Sequence, residues 1–174
     1  MPVRRGYASS ARKFLDHERE LPEEDAMTTP GRHAVAVRRP VQLAALTVGA
    51  VFLLVGVLGF IPGGTTNFEN LTFAGHQSDA MLLGVFQVSV LHNIVHLLFG
   101  VAGLAMWRTV AGARNYLIYG GVIYAVLWLY GLVIDQSSAA NFVPVNTADN
   151  WLHLVLAVGM IALGFLVGRE RRAV

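Results

Sequence analysis

Leu82-Leu-Gly-Val-Phe-Gln-Val-Ser-Val-Leu-His92-Asn-Ile-Val-His96-Leu-Leu-Phe-Gly-Val-Ala-Gly103-Leu-Ala-Met-Trp107 contains no Lys, Arg, Asp or Glu, and it ends against Arg108 and Arg114. A helix needs about 20 apolar residues to cross a hydrocarbon core of about 30 Å. Three further stretches read the same way: Val41–Ile61, Tyr116–Ile134 and Trp151–Val167. A charged side chain at mid-span would cost about 2.5–3.5 kcal/mol, and none of the four carries one. All 13 Lys and Arg lie before the first stretch, between the second and third, or after the fourth. The other two links hold only Glu69, Asp79, Asp135 and Asp149 as charges. Cationic loops resist translocation, so the charge pattern predicts four spans with both termini in the cytoplasm.

Composition agrees. Charged residues make up 14% of the 174, against about 25% in soluble domains. The stretches are apolar nearly all round, which a soluble bundle could not present to water. The first stretch is longer than a signal-peptide core and lacks a small-residue cleavage site, so it reads as an anchored span. The chain has no cysteine, which excludes disulfides, thiolate metal sites and thiol catalysis. All of its positive charge lies on the predicted cytoplasmic side, so the net +2 reports topology. The basic residues of the amino-terminal segment are interleaved with acids, unlike a nucleic-acid patch, so no nucleic-acid partner is expected.

Residues 1–38 are polar and proline-containing, and read as a disordered or weakly helical cytoplasmic leader, with a short helix from about Ser10 to Leu21 as its one candidate element. Met27 is an alternative start. A transmembrane domain follows over 39–168, and 169–174 form a cytoplasmic tail. Pro40 suits a first helical turn and Pro62-Gly63-Gly64 a stop. Ser78 or Asp79 is expected to cap the second helix and Asp149 the fourth. Ala111–Arg114 is expected to be the tight turn between helices two and three.

The halves of the domain resemble each other. Gly49 and Gly59 match Gly121 and Gly131 in separation, with Phe52 and Tyr124 in corresponding places. Leu91-His92, Gly103 and Arg108 are spaced like Leu152-His153, Gly164 and Arg169. Two repeated hairpins in one orientation would produce this pattern. A competing register aligns Asn93-Ile-Val-His96 with Asn150-Trp-Leu-His153. The first is preferred because it places His92 and His153 at equal depth.

His92, His96 and His153 are the titratable side chains within the spans, and intramembrane ionisable groups are functional candidates by default. His92 and His96 share a helix face. Facing imidazoles could hold a b-type haem iron or, with Asp135 or Asp149, a divalent metal. The weightier reading is structural: neutral imidazoles with Asn93 and Asn150 as hydrogen-bonding glue between helices, and no cofactor. Ser89 and His92 lack an acid to complete a triad, and no carboxylate lies in the spans to serve a proton relay.

Phe86-Gln-Val-Ser-Val-Leu-His92-Asn-Ile-Val-His96-Leu-Leu-Phe-Gly-Val-Ala-Gly103 and Asn146-Thr-Ala-Asp-Asn-Trp-Leu-His153-Leu are similar to segments of the small actinobacterial membrane proteins grouped as domain of unknown function 4383. The resemblance runs from about Pro40 to Gly168. It implies a four-helix protein of the bacterial plasma membrane and no catalytic residues. The expectation is therefore an all-α integral membrane four-helix bundle of two repeated hairpins. It would act as a non-enzymatic structural or accessory component, with the lipid bilayer as its surroundings and a second copy or a larger membrane complex as partner. Gly164 and Gly168 are expected to offer small outward faces for such contacts. The alternatives are a haem- or metal-binding redox protein and a small-solute channel or transporter.

Overall fold

The computed structural model describes residues 39–166; the expected leader and tail lie outside the described residues. Among the described residues four α-helices carry the fold: α1 Pro40–Leu58, α2 Val90–Met106, α3 Val110–Val133 and α4 Thr147–Leu166. Between α1 and α2 the chain forms a small antiparallel sheet, β1 Thr65–Thr66, β2 Met81–Leu82 and β3 Phe86–Gln87, in the order β1-β2-β3. Helices α1, α3 and α4 are long and apolar enough to cross a membrane, whereas α2 is shorter.

The second stretch departs from expectation. Residues 82–89 do not extend the helix. They form the β2–β3 hairpin, in register Leu82 with Phe86 and Met81 with Gln87. Leu83 and Gly84 turn it with positive φ of 53° and 72°, a conformation that glycine adopts freely and leucine does not. Val85 and Phe86, which follow the turn, suit extended backbone. Ser89 then caps α2, its Oγ accepting from the His92 amide at 3.1 Å. Ser78 instead donates to the Val88 carbonyl. Ser89→Ala is expected to lower stability by about 1 kcal/mol, read as a thermal shift in detergent, with Ser89→Thr close to wild type.

Other boundaries moved for similar reasons. Helix α1 stops at Leu58, and Pro62-Gly63-Gly64 forms the turn into β1. The link between α2 and α3 is Trp107–Thr109, so Ala111–Arg114 lies in the first turn of α3, with Thr109 as its cap. Asp149 is not the cap of α4. Asn146 Oδ1 accepts from the Asp149 amide at 2.9 Å, while Asp149 Oδ2 accepts from the Asn146 amide at 3.0 Å. That reciprocal pair satisfies two of the free amides a helix start leaves.

Packing is organised by pairs. Helix α1 lies along α2 and α3 along α4, with sparser contact between the pairs. Glycines set both seams. A Cβ at Gly49 would sit 3.0 Å from the Gly103 Cα. A Cβ at Gly121 would sit 3.0 Å from the Ala157 carbonyl oxygen. One at Gly59 would strike the Asn93 side chain, and one at Gly131 the Asn150 side chain. Such close approach is how membrane helices gain dispersion contacts when lipid offers no hydrophobic gain. Gly164 also faces inward, against Ile118, so it is not the outward small face expected of it. Gln42, which the sequence did not single out, donates from Nε2 to the Trp107 and Arg108 carbonyls at 3.2 and 2.8 Å, tying the start of α1 to the end of α2.

Candidate functional site

The buried face of α1 runs Val41, Ala45, Gly49, Phe52, and that of α3 repeats it 72 positions later as Ala113, Leu117, Gly121, Tyr124. These faces meet at the centre, where the rings of Phe52 and Tyr124 stack with centroids 5.4 Å apart. Each ring also carries a histidine from the neighbouring helix. Phe52 stacks on His96 at 5.7 Å, and Tyr124 meets His153 edge-on at 5.3 Å. His92, one turn before His96, stacks on it at 4.6 Å. The three expected histidines are thus brought together around an aromatic pair. The sequence marked Phe52 and Tyr124 as matching positions but not as part of a site.

The polar residues divide into two groups. Asn93 Nδ2 donates to the Gly59 carbonyl across α1 and α2 at 2.8 Å, the interhelical bond expected of it. Asn150 packs at the equivalent place against Gly131, but its buried Oδ1 has no hydrogen-bond partner, so the bond expected of it is not made. Asp149 is 3% exposed, and besides closing the Asn146 box it accepts from the Gln87 amide at 3.0 Å. It pins β3 to the start of α4.

The histidines differ. His92 and His153 are each 5% exposed, and the Nδ1 of all three rings is sealed without a hydrogen-bond partner. The backbone of Gln87 and of Pro144 lies close to the His92 ring. Helix-to-helix bonding therefore describes Asn93 but not these imidazoles. A buried polar atom without a partner costs about 1–3 kcal/mol, so its persistence calls for a reason.

Cavities flank the cluster on both sides. One, of about 310 Å³, lies between α1 and α4; the other, of about 330 Å³, lies between α2 and α3, and all three histidines line each. Space lies to either side of the imidazoles, whereas a haem plane would need it between two opposed rings. Among the described residues no three His, Cys, Asp or Glu side chains are placed to hold a metal ion. Asp135, one of the expected partners, stands exposed in the α3–α4 link, where the Ser137 hydroxyl and amide both donate to it and hold its carboxyl below the ordinary range.

Residues 42–166 match the profile of the family described as Domain of unknown function (DUF4383). The chain belongs to that family. The DUF4383 match runs from Gln42 to the end of α4, so it contains the glycine seams, the histidine cluster and both cavities. No curated protein and no solved structure matches the chain.

Proposed function

We propose that this DUF4383 protein is an integral component of an actinobacterial plasma membrane, crossing the bilayer four times with both termini cytoplasmic. Its role in this reading is non-enzymatic, as an accessory protein alone, as a homo-oligomer or within a larger membrane complex. Three helices of membrane-spanning length and composition carry the proposal. Their outward residues support it: Leu54, Val101, Val126 and Val155 are all more than half exposed, an arrangement suited to lipid and poor for water.

The fourth crossing is α2 completed by the hairpin before it. Seventeen residues span about 26 Å, a little less than the hydrocarbon core. The hairpin has the properties lipid demands, because backbone at that depth must satisfy its own polar groups. The Leu83, Gly84 and Val85 amides donate to Gly64, Met81 and Leu82, the Val88 amide to Ala80, and the Gln87 amide to Asp149. The Val85 carbonyl accepts from Asn146 Nδ2. At its tip Leu83 is 65% exposed and Val85 47%.

Two repeated hairpins related by an axis along the membrane normal belong to the same proposal. Gly59 against Asn93 and Gly131 against Asn150 supports the Asn-x-x-His register, in which α2 positions recur 57 places later in α4. That register pairs His96 with His153, rather than His92 with His153.

A second function is favoured by the three imidazoles that line both cavities: the cluster binds a membrane-soluble ligand. Conduction has less behind it, since both cavities are walled almost wholly by apolar side chains.

Topology tests the proposal, and the cysteine-free background makes it convenient. Single substitutions at the exposed positions Asn70→Cys and Ala139→Cys should react in intact cells with a membrane-impermeant maleimide, while Ala111→Cys should react after lysis alone. Reaction of Asn70→Cys and Ala111→Cys under the same conditions would refute four crossings.

A further inference from the structure

The two cavities correspond position by position. Val51, Phe52 and Val55 of α1, with Leu152, His153 and Leu156 of α4, line the first. Displaced by 72 and by 57, the same six positions become Ile123, Tyr124 and Leu127 of α3 and Val95, His96 and Phe99 of α2, which line the second. Each cavity therefore lies at a seam between the two hairpins, where contact is sparse. Each has an exposed apolar residue among its walls, Val51 at 52% and Ile123 at 46%. In a bilayer, such residues face acyl chains.

We propose that these seams are a pair of lipid-side binding sites for an uncharged, membrane-soluble molecule whose hydroxyl group reaches the histidine cluster. The proposal rests on the ligand-binding reading above and specifies its chemical class.

Charge decides part of that class. No Lys or Arg lines either cavity, so a phosphate or carboxylate head would be buried without a counter-ion. The one acid, Asp149, spends Oδ2 on the Gln87 and Asn146 amides, and a cationic head buried against this single carboxylate would lose more in desolvation than one partner returns. Hydrogen bonding decides the rest. The tautomer of an imidazole is set by the bond its other nitrogen makes. Among the described residues no hydrogen bond fixes the tautomer of His96 or His153. A hydroxyl both donates and accepts, so it complements a neutral imidazole in either tautomer. The apolar body of the same molecule would meet the Val, Leu and Ile walls, as ligand cavities of this size usually provide.

The test uses the full chain in phosphatidylcholine nanodiscs and two photoactivatable probes, a long-chain primary alcohol and the carboxylic acid of equal length. The alcohol is expected to crosslink to α1/α4 and α2/α3 peptides, saturably and in competition with unlabelled alcohol. The acid should crosslink about tenfold less at the same concentration. Val51→Trp should remove the α1/α4 crosslinks and spare the others, and Ile123→Trp should do the reverse. His153→Phe should weaken saturable crosslinking while His153→Gln, which keeps a hydrogen-bonding group, restores part of it. Elution volume and helical circular dichroism establish that each variant is folded, and the Trp variants decide the matter if His153→Phe is not. Equal saturable crosslinking by the acid would overturn the uncharged class while leaving ligand binding intact. Unsaturable crosslinking by both, unaffected by the Trp variants, would overturn ligand binding as well.

Discussion

Gly103→Leu should lower the thermal unfolding midpoint in detergent more than any other single substitution named here. A Cβ at Gly103 would lie 2.7 Å from the Gly49 Cα and 2.9 Å from Tyr116 Cζ. The nearest obstacle is backbone, so no rotamer change makes room, and α1 and α2 must separate along the seam. Overpacking of this kind costs about 3 kcal/mol, a large share of the roughly 5–15 kcal/mol that holds a domain together. Gly159→Leu is the control, because a Cβ there meets nothing within 4 Å. It should stay within about 0.5 kcal/mol of wild type. Thermal unfolding followed by light scattering separates the two, and equal midpoints would mean the helices do not meet through Gly49 and Gly103.

Asp149→Ala carries the second large effect. Its carboxylate accepts from the amides of Gln87 and Asn146 in a site 3% exposed. Removing it strands two buried donors, each costing about 1–3 kcal/mol, and frees the β-hairpin from α4. The expected loss is about 3 kcal/mol. Asp149→Asn keeps an acceptor oxygen and should lose about 1 kcal/mol. The readout that isolates the contact is hydrogen exchange at Gln87, which should accelerate in Asp149→Ala well beyond the change at core amides of α3. Uniform acceleration would mean Asp149 acts only as part of a helix start.

Much of the architecture is legible in the chain because the membrane imposes simple demands. Long uncharged stretches mark Val41–Ile61, Tyr116–Ile134 and Trp151–Val167, and each corresponds to a helix, although α3 starts six residues and α4 four residues ahead of its stretch. The stretch from Leu82 misleads for a physical reason. A hairpin facing lipid is as apolar as a helix facing lipid, so hydropathy cannot separate them. The local signals were Gly84, which tolerates a left-handed turn, and Ser89, which caps the helix that follows. Cap positions are ambiguous in the sequence where several polar residues compete. Ser78 and Asp79 suit a helix start by type, yet eleven residues later Ser89 does the work. The histidines stood out because charge-capable groups are rare inside spans. Their convergence on Phe52 and Tyr124 follows from which α1 face meets which α3 face, and periodicity alone leaves that pairing open.

The same hairpin offers the most direct examination of four crossings. Nitroxides placed at Leu83→Cys, Val101→Cys and Asn70→Cys in nanodiscs report depth through relaxation by oxygen, which partitions into lipid, and by a water-soluble nickel chelate. Leu83→Cys is expected to resemble Val101→Cys, relaxed by oxygen and shielded from nickel, with Asn70→Cys showing the opposite. Nickel access at Leu83→Cys equal to that at Asn70→Cys would place the hairpin in water and leave α2 too short to complete the second crossing.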